Sequence, residues 1–427
     1  MNYIIFAICL NFITADVFKQ DVHLIESLQN RLIRTGKWKA YLKMKDVMLV
    51  TAKYQVLDGV PETINNYEAS TLTTNITVGT PPQAFVTLLD TGSANFWIPD
   101  STCGRTLIDC PTFCSEEPMY CKSGVCKESC CGSFIGKKPP PANKNPCDLK
   151  SKFHSAKSSS YVANGMQFSI YYPYGSTRGF LGQETVKIFG NSGKSLTIPG
   201  TVFGQARTIP ETFKTSRADG ILGLAFTSLA IDNVVPPIIH AINKKLLDSP
   251  IFTVHLNSLT GTGKAGIITY GGLDDDNCQS DVNYIDLTIA TWFQFKLDSV
   301  TAGFSGSRTA VQAISDTANS FITGPQAVTD SIAKSLGATF DPEYHLYTID
   351  CKRAVADIVI TIFGIKYAIK SENMIRNHGA FCALEIISAD FGGIGYTWIL
   401  GTPFMRSYCH VYDLGNKRIG FATPKTQ

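Results

Sequence analysis

The stretch Ala84-Phe85-Val86-Thr87-Leu88-Leu89-Asp90-Thr91-Gly92-Ser93 decides how this chain is read, because its pattern comes back. The second copy is Ala310-Val311-Gln312-Ala313-Ile314-Ser315-Asp316-Thr317-Ala318-Asn319-Ser320. In each copy an apolar, strand-like run breaks at an aspartate into a turn of small residues. Each is followed downstream by a hydrophobic-hydrophobic-glycine element. After the first it is Asp219-Gly220-Ile221-Leu222-Gly223-Leu224; after the second it is Trp398-Ile399-Leu400-Gly401-Thr402-Pro403. A chain that repeats strand, Asp-Thr, tight turn and glycine-ended apolar element reads as two related lobes. Two such lobes would bring two carboxylates together on a pseudo-twofold axis.

The bulk numbers suit that picture. A chain of 427 residues is too long for one small core. With 44% hydrophobic and 17% charged residues it has a globular composition. A formal net charge of +3 gives no reason to expect nucleic acid. Residues 1–15, apolar from Ile4 to Ala15, read as a secretory signal peptide. No later run of about 20 apolar residues follows, so no membrane span is expected. Of thirteen cysteines, Cys9 lies in the signal. The other twelve, an even number, suit a disulfide framework. Eight of them crowd one segment: Cys103, Cys110, Cys114, Cys121, Cys126, Cys130, Cys131 and Cys147. Zinc is the rival use: Cys110-x3-Cys114 could serve as one hook, but no histidine falls in the segment. Eight cysteines allow 105 pairings, which sequence leaves open.

From Asp16 to Tyr54 eight lysines and arginines face four acidic residues, whereas the remaining chain is nearly neutral. A basic cap on such a body fits an inhibitory prosegment over residues 16–60; an ordinary solvated helix is the alternative. The spacing of Leu24, Ile25, Leu28, Leu32 and Ile33 predicts a helix that Gly36 ends. From about Glu68 the pattern turns to short β-rich runs separated by turn residues. Pro236 to Leu247 is the best helical candidate among them. The fold class is mainly β, with an N-terminal lobe over 61–256 carrying the Cys-rich insert 103–147, and a C-terminal lobe over 257–427. Gly261-Thr-Gly-Lys-Ala-Gly266 fits a dinucleotide-loop pattern, but a strand-like run follows it, so it reads as a hairpin.

Two carboxylates a few ångströms apart cannot both ionise cheaply, so they share a proton. One can then act as base on a water and the other as acid toward a carbonyl oxygen; the handling of such a dyad is the standard aspartic-protease case. Thr91 and Thr317 can bond across the axis and lock the turns together. Small residues at Gly92 and Ala318 let backbone N–H groups approach the carboxylates.

On these residues the chain resembles the pepsin-like aspartic proteases over nearly its whole length. Asp90-Thr91-Gly92-Ser93-Ala94-Asn95-Phe96-Trp97 resembles the family's first active-site loop, and Asp316 to Pro325 the second. Ile170-Tyr171-Tyr172-Pro173-Tyr174-Gly175-Ser176 resembles the flap hairpin, making Tyr172 the flap tyrosine that reaches toward Trp97. Ser27 to Gly36 with Lys53-Tyr54 resembles the prosegment, in which Lys53 would reach the two aspartates of the zymogen. Cys278 and Cys409 resemble positions in nematode members. Three positions depart from the family: Ala318 stands where it has Gly, Asn319 where it has Thr or Ser, and Pro173 where the flap has Gly.

The resemblance implies a bilobal fold of two β-barrel-like lobes flanking a cleft. It implies an aspartic endopeptidase made as a zymogen, secreted or lysosomal, monomeric, and acting at acid pH on proteins or peptides. Asp90 and Asp316 would be catalytic, with no metal, cofactor or covalent intermediate. It also implies a Cys351–Cys382 bridge and a Cys278–Cys409 bridge. For Asn319 the expectation is an amide bonded to Asp316 in place of the usual hydroxyl. The rivals are a relative that binds peptide without cutting it, and an adhesion role for the Cys-rich insert.

Overall fold

The computed structural model describes residues 16–26, 28–38, 71–104, 145–172, 175–191, 193–258, 264–379, 381–391, 393 and 395–425. Several expectations lie outside the described residues: the signal peptide, Lys53, Tyr54, Pro173, Gly261 to Gly263, and the insert cysteines Cys110, Cys114, Cys121, Cys126, Cys130 and Cys131.

Among the described residues the first part of the chain builds β1 (Phe18–Ile25), β2 (Thr71–Val78), β3 (Gln83–Asp90), β4 (Phe96–Pro99), β5 (Val162–Tyr172), β6 (Gly175–Phe189), β7 (Ser195–Thr208), β8 (Gly220–Gly223), β9 (Ile251–Leu256), β10 (Lys264–Tyr270) and β11 (Cys278–Asp286). The fold is bilobal, pepsin-like and mainly β, and its two lobes share one wiring. In the N-terminal lobe β3 runs parallel to β8, β8 antiparallel to β4, and β4 parallel to β7. In the C-terminal lobe strand Val311–Ser315 runs parallel to Trp398–Leu400. That strand runs antiparallel to Ile322–Gly324, which is parallel to Ile386–Ser388.

This wiring explains the repeated sequence elements. The apolar run before each aspartate is a central strand, and the hydrophobic-hydrophobic-glycine element is the strand threaded beside it. Leu89 stands opposite Leu222, Asp90 opposite Gly223, and Ser315 opposite Leu400. A Cβ on Gly223 would lie 2.4 Å from the carbonyl carbon of Ala94, and one on Gly401 2.1 Å from the carbonyl oxygen of Asn319. Only glycine lets these strands pass so close beneath the two aspartate turns.

An antiparallel floor joins the lobes. It runs from β2 through β1, β10, β9, Cys409–Asp413 and Arg418–Pro424 to β11. β10 returns antiparallel to β9, as the hairpin reading of the glycine-rich stretch requires. The N-terminal segment corrects one expectation. Leu24 and Ile25 belong to β1, and the helix spans only Leu28–Arg34. Period two prevails there: Phe18, Gln20 and Val22 are buried in alternation. Gln20 Nε2 donates to the Asn75 carbonyl at 2.8 Å, satisfying the donor half of the buried amide. Lys19 Nζ reaches the fully buried Asp274 carboxylate at 2.8 Å.

The helix after Pro236 is shorter than expected, Pro237–Asn243. Helix Gln326–Ser335 was not foreseen; its buried residues are Thr329, Ile332 and Ala333, too weak an apolar stripe to stand out. Cys103 pairs with Cys147, Cys278 with Cys409, and Cys351 with Cys382. The last two are the bridges the resemblance implied. The first closes the base of the insert, where Asn145 Nδ2 also donates to the Gly104 carbonyl at 3.3 Å.

Candidate active site

Each aspartate is delivered by the end of its central strand and held by the turn behind it. The Gly92 N–H donates to Asp90 Oδ1 at 2.8 Å, and Ser93 Oγ donates to Asp90 Oδ2 at 2.5 Å. The Ala318 N–H donates to Asp316 Oδ1 at 2.8 Å. The carboxylates converge: a Cβ on Gly92 would lie 2.8 Å from Asp316 Oδ2 and 3.0 Å from Asp90 Oδ1. One point is thus within hydrogen-bond range of both groups.

The two threonines tie the turns together reciprocally. The Thr91 N–H donates to Thr317 Oγ1 at 3.0 Å, and the Thr317 N–H to Thr91 Oγ1 at 3.0 Å. Each hydroxyl then donates across the axis, Thr91 to the Ser315 carbonyl at 2.9 Å and Thr317 to the Leu89 carbonyl at 2.7 Å. All four bonds are buried, where low dielectric strengthens them and leaves any lost partner costly.

Burial is the main force on the acidity of the pair. It pushes both carboxyls above the ordinary range, and the charge of Asp90 raises Asp316 further. Donors from Ser93 and Gly92 work against the rise at Asp90, while Asp316 has only the Ala318 N–H opposing it. The surroundings therefore favour the negative charge on Asp90 and the shared proton on Asp316.

The hairpin of β5 and β6 brings Tyr172 close to this pair. Tyr172, at the end of β5, accepts a hydrogen bond from Trp97 Nε1 at 2.9 Å. Its phenol is pushed up by burial and by the negative charge of Asp90, which places the ring beside the dyad.

Asn319 differs from expectation. A bond from its amide to Asp316 is not among the hydrogen bonds of the described residues. Its Oδ1 accepts the Phe321 N–H at 2.8 Å, and its Nδ2 donates to Thr323 Oγ1 at 3.1 Å. An asparagine readily caps its own backbone two residues on, and that local bond wins here. Ala318 is absent from the residues with positive φ, so its methyl sits on ordinary backbone.

Two cleft residues were not foreseen. Trp292 Nε1 donates to the Gly92 carbonyl at 3.1 Å, tying the C-terminal lobe to the first loop. Its ring meets Tyr396 edge to face at 5.4 Å. The Tyr396 phenol is pushed up by burial and by the charges of Asp316 and Asp90. Nothing local marks either residue, since the partner of Trp292 lies 200 positions away.

The eukaryotic aspartyl protease family model matches residues 71–424. The chain is 39% identical to "Aspartic protease 6" of Caenorhabditis elegans, over 99% of this chain and 98% of that protein. It is 35% identical to "Aspartic protease 2" of Necator americanus, over 97% of each. It is 30% identical to a cathepsin D of Dictyostelium discoideum, over 84% of this chain and 85% of that protein. With its duplicated Asp-Thr turns locked across the lobe axis and matches of this length, the chain belongs to the eukaryotic aspartyl protease family, the aspartic endopeptidases.

Proposed function

We propose that this chain hydrolyses peptide bonds at acid pH with Asp90 and Asp316, and that it is made as a self-inhibited precursor. The observation that carries the proposal is the reciprocal threonine lock, which presents two buried carboxylates to one point. Asp90, better supplied with donors, is the base that takes a proton from an attacking water. Asp316, richer in proton, is the acid that donates to the scissile carbonyl oxygen. The substrate is a polypeptide lying extended beneath the hairpin of β5 and β6, with Tyr172 and Trp97 fixing the flap's position.

The precursor reading assigns residues 16–60 to the prosegment. It is supported by how that segment is held: Ile33 and Trp38 pack on Leu346, Ala383 and Ile387, beside Phe321 of the second loop. On this reading Lys53 would reach the two aspartates in the precursor. Acid weakens the hold, because protonated carboxyls no longer attract the ammonium. The chain enters the secretory pathway and works outside the cell or in lysosomes, as a monomer. Among the described residues no helix is long and apolar enough to cross a membrane.

One observation favours a second reading, a peptide-binding relative without turnover: the Asn319 amide serves its own turn and not Asp316. Cleavage of a denatured protein at about pH 4, with and without a transition-state-mimic inhibitor of aspartic proteases, separates the two. Asp90→Asn and Asp316→Asn should each abolish cleavage in a folded protein. Substantial activity in either variant rules out the dyad assignment, and an inert wild type leaves the binding reading.

A further inference from the structure

Directly behind the second aspartate turn lies a polar chain that the reaction does not use. Ser315, immediately before Asp316, points its hydroxyl into the floor. Its Oγ lies 2.9 Å from His410 Nδ1 and 2.9 Å from the Tyr412 hydroxyl, all three residues being fully buried. Its carbonyl oxygen meanwhile accepts the Thr91 hydroxyl. One residue thus anchors the crossing bond from the other lobe with its backbone and is itself clamped by two side chains. The imidazole sits in an aromatic box, edge to face with Phe404 at 4.9 Å and Phe421 at 4.8 Å. Among the described residues His410 Nε2 has no hydrogen-bond partner.

An imidazole in such a place is a poor choice for stability alone. Burial holds it neutral, and its unpartnered Nε2 bears a desolvation cost that a phenylalanine ring of similar shape would avoid. What phenylalanine cannot do is hold the Ser315 hydroxyl. We infer that His410 is a positioning residue for the dyad: with Tyr412 it fixes Ser315, and through Ser315 the Thr91 crossing bond and the setting of Asp316. The inference rests on the hydrolytic role of Asp90 and Asp316.

The test uses the whole chain, activated in acid, as wild type, His410→Phe, His410→Asn and Ser315→Ala. His410→Phe should keep or raise the melting temperature while kcat falls about tenfold and KM stays, because a misset acid acts in the transition state and not on ground-state binding. His410→Asn, whose amide can still reach Ser315, should recover most of kcat yet melt lower, since it leaves the box underfilled. Ser315→Ala should lower kcat like His410→Phe, and the double variant should be no worse than either single one. Full kcat in His410→Phe overturns the inference, as does strict additivity in the double variant. An inert wild type would instead refute the hydrolytic reading. Amide exchange then decides the positioning role: His410→Phe should speed exchange at Thr317 and Ala318, and unchanged protection there overturns it.

Discussion

At the scale of single residues, the two active-site turns differ in how many donors they give their carboxylate. Asp90 receives Gly92 N–H and Ser93 Oγ, whereas among the hydrogen bonds of the described residues Asp316 receives Ala318 N–H, Asn319 capping its own turn. On the proposed mechanism this inequality separates the two roles, and it should also set the upper pH limit of activity. That limit is reached when Asp316 loses the shared proton. A threonine at 319 would offer a hydroxyl to ionised Asp316, favour the charged form and lower the pKa. Asn319→Thr should therefore move the basic limb of the pH–rate profile downward by about one to two units, since a bond to a charged group is worth about 1.5–3 kcal/mol. A basic limb that stays put, or moves upward, contradicts this account of the turn. The crossing bonds allow a second test. Thr317→Val keeps the shape but leaves the buried Leu89 carbonyl and Thr91 N–H without a partner. Stability should fall by about 1–3 kcal/mol for each orphaned group, read as a lower denaturant midpoint with the same slope.

At the scale of elements, the N-terminal segment is grafted onto the body in two ways. β1 is a full member of the floor between β2 and β10, while helix Leu28–Arg34 leads to an apolar anchor on the C-terminal lobe. Trp38 is the largest part of that anchor, and its Nε1 donates to the Glu343 carbonyl at 2.8 Å. Removing its ring should loosen the segment before it disturbs the lobes. Trp38→Ala should process itself faster at a fixed acid pH and begin doing so at higher pH than wild type. Unchanged processing kinetics would mean that the anchor does not hold the precursor closed. What could be read from sequence follows the same division. The strands and turns around Asp90 and Asp316 were legible because their constraints are local: apolar runs that must be buried, and glycines at 223 and 401 that no Cβ can replace. β1 was misread because Leu24, Ile25 and Leu28 fit a helical period by chance, while the sheet pairing that overrides it comes from distant strands. Trp292, Tyr396 and His410 were invisible because their meaning lies entirely in long-range partners.

At the scale of the whole molecule, two sets of buried groups pull stability in opposite directions as pH changes. The dyad has folded pKa values raised above the ordinary 3.8, so its contribution is full below 3.8 and is lost as pH rises through the folded values. Two buried histidines do the reverse. Burial, helped by the nearby Arg376 charge and only partly opposed by Glu385, lowers His378 from 6.5 to about 4. Burial alone lowers His410 from 6.5 to about 3. Each is neutral in the folded protein while the unfolded chain binds a proton, so its contribution is present above 6.5 and is lost as pH falls through that window. Across it each group removes about 1.4 kcal/mol per pH unit. The C-terminal lobe thus carries two acid-labile sites. His378 stacks on Phe381 at 5.1 Å, so a phenylalanine there keeps the ring contact and removes the titration. Melting temperatures of wild type and His378→Phe, both measured at pH 6.5 and at pH 4 in one buffer series, should diverge only in acid. The variant should lose distinctly less stability over that interval, and an equal loss in the two proteins would show that His378 takes up its proton without cost to the fold.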